Sequence, residues 1–192
     1  MCFHPVEMVF EEGGRPSRIF PQLQGTTFTL EDILRSNFIP TCSVMFRNGL
    51  FGEFPSWYNS LKIEDWPLYI LNAQHGEIGF LNEVMGVYRI HAGGAWSSNK
   101  EENKCMENIE FYECMGKYFR GEYRNLAKMM LCQCHYNLAS LYEDMNNVHL
   151  AKSNLLKSLW IYPHHNKTGF IPIVKMAMRL YFPSIYNYLK SN

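Results

Sequence analysis

From Asn99 onward the chain carries no proline until Pro163, and apolar residues recur there at helical spacing. Before Asn99, prolines and glycines punctuate short apolar runs. A proline inside a helix removes a backbone hydrogen bond and clashes with the preceding turn. The two halves therefore call for different architectures. Residues 1–98 read as a mixed α/β unit of short elements, and residues 99–192 as an all-α segment.

In the first half Val6–Glu11 reads as a strand, Gly13-Gly14 as a turn and Ser17–Phe20 as the returning strand. Thr29-Leu-Glu-Asp32 has a helix-start pattern, a hydroxyl followed three residues on by an acid, and the short helix should run through Ile33 and Leu34 to about Arg35. Thr41–Phe46 reads as an apolar strand, and the glycines and aromatics after it as an irregular loop. A helix is expected from about Asp65 to His75-Gly76, then strands at Ile78–Leu81 and Val84–Ile90, then a flexible segment opened by Gly93-Gly94. The second half predicts helices at about Lys100–Phe119, Tyr123–Met145 and Val148–Tyr162. After a break at Pro163-His-His-Asn166, a fourth is expected at Ile171–Leu180 and a short one after Pro183. Tyr136-Asn-Leu-Ala139, Tyr142, Asn146, Ala151, Leu155, Ser158-Leu159 and Pro163 are spaced like one tetratricopeptide unit, a pattern a plain helical hairpin would also satisfy. The opening Met1–Phe10 reads as a strand already under way, as expected of the back part of a longer protein.

With 47% apolar residues the chain can bury a proper core. Its formal net charge of zero removes the usual signature of a nucleic-acid binder. The six cysteines are scattered and read as reduced, mostly buried thiols of a cytoplasmic protein. Cys132 and Cys134 would point to nearly opposite sides of a helix and make a poor metal pair. No apolar run is long enough to span a bilayer.

Two stretches carry the chemistry. One is Phe38-Ile-Pro-Thr-Cys-Ser-Val-Met-Phe-Arg47. The other begins at Glu64-Asp-Trp-Pro-Leu68 and continues through Gly76-Glu-Ile-Gly-Phe-Leu-Asn-Glu-Val-Met-Gly-Val-Tyr-Arg-Ile-His91 to Gly93-Gly-Ala-Trp-Ser97. Adjacent acids before an apolar run can be an ordinary acidic helix start, and a histidine at a strand end an ordinary loop residue. In this order, however, the motifs resemble the C-terminal half of the catalytic domain of family 2 glycosyltransferases, which have the GT-A fold. The likeness spans roughly Met1 to Ser98.

The resemblance implies roles. Asp65 matches the last position of the family's acceptor-side acid motif and would take the proton of the acceptor hydroxyl, while Glu64 would help orient the acceptor. Trp57, Tyr58 and Trp66 lie around the acceptor side, where sugar C–H faces could pack on their rings; core burial is the equal alternative for all three, and Trp66 is the one placed near the site. Ser43 and Arg47 lie in the segment that in the family lines the sugar pocket, with plain burial as the alternative for Ser43. Arg89 would contact the donor diphosphate, with a fold-bracing salt bridge as the alternative. His91 would complete the shell of a divalent metal, Mn²⁺ or Mg²⁺. Strand alternation puts Arg89 and His91 on one face. Trp96, after Gly93-Gly94, would close over the donor, or the segment is a plain linker.

The family's donor-binding half, with its D-x-D motif, is missing from this chain; it would be about 100 residues, one mononucleotide-binding half. The Q-x-x-R-W motif of processive polymerases is not found either. The implied function is inverting transfer of a single sugar from a nucleotide-sugar donor to a carbohydrate or lipid-linked acceptor, in polysaccharide or glycoconjugate synthesis. The alternative is a catalytically dead remnant joined to a helical module that binds a protein partner. A third, weaker reading has Ile171–Lys190, where Lys175, Arg179 and Lys190 mix with apolar residues, touching the inner face of a membrane.

Overall fold

Short alternating runs need partners far along the chain, and in the N-terminal unit two segments supply them for each other. In a computed structural model that describes residues 1–94, 96–161 and 170–191, the chain divides into two units, Met1–Lys100 and Glu101–Asn192. In the first unit β1 (Cys2–Phe3) pairs in parallel with β5 (Ile78–Phe80), and β4 (Thr27–Phe28) pairs antiparallel on the other side of β5. Past His4-Pro5 the same segment enters a second sheet. There β2 (Val6–Phe10) runs parallel to β6 (Val87–Ile90) and antiparallel to β3 (Arg18–Phe20). The segments around residues 2–10 and 78–90 thus run alongside each other through two sheets.

Two helices belong to this unit. In α1 (Leu30–Arg35) the Thr29 hydroxyl accepts from the Asp32 amide and the Asp32 carboxylate accepts from the Thr29 amide, a reciprocal capping box. The other, α2 (Asp65–Ala73), has Pro67 in its first turn, where a missing N–H costs nothing. Both helices direct apolar residues into one core, with Ile33, Leu34, Tyr69, Ile70 and Leu71 buried alongside Phe3, Ile78 and Phe80. Each such aliphatic or aromatic burial is worth roughly 1.5–3 kcal/mol. Phe3, Phe28, Phe38 and Phe80 form a tilted aromatic cluster with centroid separations of 5.0 to 6.3 Å.

The second unit is helical: α3 (Glu101–Tyr118), α4 (Gly121–Asp144), α5 (Val148–Ile161), α6 (Phe170–Tyr181) and α7 (Pro183–Ser191). Each packs on the next, with α4 between α3 and α5. Ala139, Ala151 and Leu155 are fully buried in a cluster with Leu138, Tyr142, Ile173, Met176 and Leu180, so small residues do sit where α4 and α5 approach. The turn between them is well defined. Asn146 is left-handed (φ 58°), the Asn147 amide donates to the Tyr142 carbonyl and the Asn146 amide to the Glu143 carbonyl, as in a Schellman ending. The Asn147 side chain then accepts from the Leu150 amide and starts α5. Pro163, the last residue of the tetratricopeptide-like pattern, and the expected break at 163–166 lie outside the described residues.

Several expectations need correction. Thr41–Phe46 is not a strand. Thr41–Ser43 form a 3-10 turn, and Met45 makes one bridge, exchanging both backbone hydrogen bonds with Cys2 at 2.8 Å. With Pro40 setting up the turn, the Ser43 amide bonds to the Pro40 carbonyl instead of a ladder. The strand expected from Val84 begins at Val87, and Val84 and Met85 are exposed. The segment at Gly93-Gly94 is held as a turn: the His91 carbonyl accepts from the Gly94 amide (3.1 Å) and the Ser97 hydroxyl (2.7 Å). A Cβ on Gly94 would push the Ser97 hydroxyl out of its bond to the His91 carbonyl. The cysteines are free thiols, but only Cys132 and Cys134 are buried, and Cys42 is exposed. Among the described residues no helix is long and apolar enough to cross a membrane.

Candidate functional site

The 3-10 turn at Thr41–Ser43 and the first turn of α2 meet at Asp65. The Thr41 hydroxyl donates to Asp65 Oδ2 at 2.6 Å, and the Trp66 amide donates to Oδ1 at 2.7 Å. Asp65 is the first residue of the helix; the cap position belongs to Glu64, whose side chain makes no capping bond. One carboxylate oxygen thus takes the Trp66 amide, a donor left open at the start of the helix, and the other takes the Thr41 hydroxyl. The carboxylate is half-buried, held in direction by two donors, and placed at the positive end of the helix dipole. A carboxylate so held can accept a proton from a hydroxyl brought against it.

Two tyrosines crowd this carboxylate. The Tyr58 hydroxyl donates to the Glu64 carbonyl at 2.7 Å, and burial with the negative charges of Glu64 and Asp65 pushes its phenol up. Tyr69 is buried. Burial first, then the Asp65 charge, raises its phenol far above the usual range, with a small opposing effect of the neighbouring Thr41 hydroxyl. Its oxygen has no hydrogen-bond partner of good geometry among the described residues. Beside them lies an aromatic rim: Phe51 on Phe54 at 5.2 Å, Phe54 on Tyr58 at 4.5 Å and Trp57 on Tyr58 at 6.3 Å between centroids. Phe54, Met45 and Phe46 are exposed. Thr41, Phe54 and Tyr69 had no role in the sequence reading, although the i, i+3, i+7 spacing of Phe51, Phe54 and Tyr58 was there to be seen.

The residues the resemblance implied fall into two groups. At the start of α2, Glu64 is exposed beside Asp65. Trp66 does not present its ring to a ligand: it is buried, and its indole N–H donates to the Ile33 carbonyl at 2.7 Å, tying α2 to α1. Ser43 is buried too, with its hydroxyl donating to the Pro40 carbonyl at 2.8 Å, so it holds the turn that carries Thr41. Arg47 is exposed.

The second group lies at the end of β6. Arg89 pairs with Glu11, Nε to Oε1 at 3.0 Å, across the β2–β6 register in which Val9 faces Arg89. Both side chains are largely exposed, so the pair adds little stability, but it does occupy the guanidinium. His91 is half-buried just past β6, its ring beside Gly93, and Trp96 is exposed. The face shared by Arg89 and His91 on alternation does not extend to His91, because the strand ends at Ile90.

The metal implied by the resemblance does not fit these residues as a set. Among the described residues no three His, Cys, Asp or Glu side chains come together to hold an ion, and His91 alone is not a site. A metal placed at His91 needs further ligands from elsewhere.

Comparison with known proteins gives relatives without an assigned activity. A stretch of 117 residues, 60% of this chain, is 35% identical to uncharacterized proteins of Mycobacterium bovis and of two strains of Mycobacterium tuberculosis. The match covers 32% of each relative, so the chain spans about a third of the length of the curated relatives it matches. No family model matches the chain. No solved structure matches it significantly.

Proposed function

We propose that this chain is the acceptor-side half of an inverting glycosyltransferase of the family 2 type, with a GT-A-type arrangement, and that Asp65 is its base. The observation that carries the reading is the anchoring of Asp65 by Thr41 and the Trp66 amide, with the carboxylate left accessible beside an aromatic rim. In the reaction, an acceptor hydroxyl oxygen attacks the anomeric carbon of a nucleotide-sugar. The O–H proton passes to the Asp65 carboxylate. The bond from the anomeric carbon to the nucleoside diphosphate breaks, and its electron pair leaves with the diphosphate oxygen. Phe54 and Tyr58 supply flat apolar faces for the acceptor, and Glu64 a second carboxylate at the same edge. Arg89, Trp96 and His91 would lie on the donor and metal side, and the enzyme acts in the cytoplasm.

A second reading has a specific observation in its favour. Trp66 and Ser43 are spent on the fold and Arg89 on Glu11, as in a remnant that has kept the scaffold and lost the donor side. The helical unit, with its tetratricopeptide-like hairpin of α4 and α5, would then bind a protein.

The deciding experiment replaces Asp65 by Asn in the native gene and assays cell extracts for transfer from a panel of labelled nucleotide-sugars to glycan and lipid acceptors, with Mn²⁺ or Mg²⁺ present. Loss of a general base lowers transfer on the order of 100-fold or more. Equal transfer in the two extracts removes Asp65 from the mechanism and leaves the remnant.

A further inference from the structure

Every one of the 18 acidic residues lies at or before Asp144. From Met145 to the end the chain has Lys152, Lys157, Lys167, Lys175, Arg179 and Lys190 and no acid. The zero net charge therefore conceals a basic C-terminal part, formed structurally by α5, α6 and α7. Of its described basic side chains, Arg179 is spent on Glu143 through two bonds of 2.7 Å, while Lys157 and Lys175 are exposed.

The same helices expose apolar side chains. In α7, Ile185, Tyr188 and Leu189 recur at spacings of three and four residues, with Phe182 just before the helix at the same spacing, and are 52% to 69% exposed. Tyr186, at the edge of this stripe, is half-buried and lies under the Arg179 guanidinium. On α5, Lys152, Leu156 and Trp160 form an i, i+4, i+8 ridge, and Trp160 is 89% exposed. The Lys152 ammonium lies 4.7 Å from the Tyr181 ring centroid, so this ridge borders the exposed residues at the end of α6.

Aliphatic and aromatic side chains exposed with lysines, on helices that carry no acid of their own, are the combination that lies flat on an anionic bilayer. A tryptophan and tyrosines at such an edge suit the headgroup level, where an apolar ring and a polar tip are both satisfied. A nucleic acid would use the lysines but leave Ile185, Leu189 and Phe182 exposed to water, and its recognition favours arginine, whose single copy here is paired. We infer that α5, α6 and α7 form a peripheral docking surface for an anionic lipid bilayer, with Phe182, Ile185, Leu189 and Trp160 entering the headgroup boundary and Lys157 and Lys175 drawing on its charge. The inference is independent of any role for Asp65.

Co-sedimentation of the full chain with vesicles tests it. The probes are equal parts phosphatidylglycerol and phosphatidylcholine, and phosphatidylcholine alone. The wild type is expected to pellet with the anionic vesicles and not the neutral ones, with binding weakened by salt and tryptophan emission shifted to the blue on binding. Lys157→Gln and Lys175→Gln should each weaken partition about fivefold. Ile185→Ser with Leu189→Ser should abolish it, and since both side chains are exposed the melting temperature should hold. Trp160→Ser is a second apolar variant on a separate helix. The proposal fails if the wild type ignores anionic vesicles, or if the apolar variants bind as well as the wild type. It also fails if those variants instead dissolve a dimer seen by ultracentrifugation, or release duplex DNA, with no vesicle binding.

Discussion

The Thr41 hydroxyl and the Asp65 carboxylate, 24 residues apart, meet at 2.6 Å and fix the direction of a half-buried acid at the start of α2. Thr41 is exposed, so Thr41→Val should change unfolding free energy by no more than about 0.5 kcal/mol. The loosened carboxylate should lower sugar transfer about tenfold. Thr41→Ser keeps the hydroxyl and should restore most of it. Transfer assays with all three side chains, beside their thermal melts, separate a positioning hydroxyl from a bystander: unchanged transfer in Thr41→Val would count against the base.

Trp66 occupies the core, the alternative to stacking on a sugar. Its indole N–H is the donor for a buried Ile33 carbonyl. Trp66→Phe leaves that carbonyl short of a donor and a gap beside α1, which should cost about 1–3 kcal/mol in urea unfolding at an unchanged slope. Acceptor affinity should hold. Lost affinity with full stability would put the ring back on a ligand.

What was legible in the chain follows from range. The capping box at Thr29 and Asp32, the start of α2 at Asp65 and the change to long helices after Asn99 are decided by neighbours within a turn or two. Each left a local mark. The two-residue strand β4 left none, because Thr27 owes its pairing to Gly79, far along the chain, and the division of Met1–Phe10 into β1 and β2, each with a different distant partner, left none either. Thr41–Phe46 has the composition of a strand, but the bond from the Ser43 amide back to Pro40 turns it. At the candidate site, Asp65 was singled out by the motif around it. Thr41 and Tyr69 were not, since only folding brings a hydroxyl from one turn and a phenol from the inner face of α2 to the same carboxylate. Trp66 was misplaced for a related reason: a tryptophan beside an acid looks the same in sequence whether its ring faces a cleft or the core.

Tyr69 offers a cleaner probe of the site than the acid itself. Its buried oxygen lacks a well-aligned partner, so the hydroxyl contributes a desolvation cost without a compensating bond. Tyr69→Phe should be neutral or stabilising by up to about 1 kcal/mol. If that oxygen serves an incoming hydroxyl ligand, the same variant should weaken acceptor binding without loss of stability. Chemical denaturation and titration with acceptor read the two effects separately. A clear destabilisation would mean the phenol already has a partner.

In the helical unit Arg179 of α6 grips Glu143 of α4 in two parallel bonds, Nε to Oε1 and Nη2 to Oε2, both at 2.7 Å. Lysine can reach the carboxylate but not match the fork. Arg179→Lys should therefore cost about 1 kcal/mol, and more of it should persist at high salt than for an exposed pair, since the carboxylate is largely buried. Melts at low and high salt check both statements.

The last prediction concerns acid. His135 on α4 is buried, and its Nδ1 lies 3.0 Å from Asn154 Oδ1 on α5. Asn154 Nδ2 donates to the Leu150 carbonyl, which leaves Oδ1 as the acceptor and makes Nδ1 of His135 the donor. Burial lowers the imidazole below its usual value of 6.5. Lys157 acts in the same direction, and the bond to Asn154 and the charge of Glu113 oppose it without reversing it. The unfolded chain then takes up this proton at a higher pH than the folded one. Stability from keeping His135 neutral is present above the unfolded value and is lost as pH falls below it, until the folded value is reached. His135→Gln keeps a donor toward Asn154 and removes the titration. Urea midpoints measured from about pH 7.5 down to about pH 5 should fall more for the wild type than for the variant, spanning the ordinary histidine value. The gap between the two curves should be widest at neutral pH and narrow toward acid. Parallel curves would mean that water reaches the ring and that the α4–α5 contact is looser than its hydrogen bonds imply.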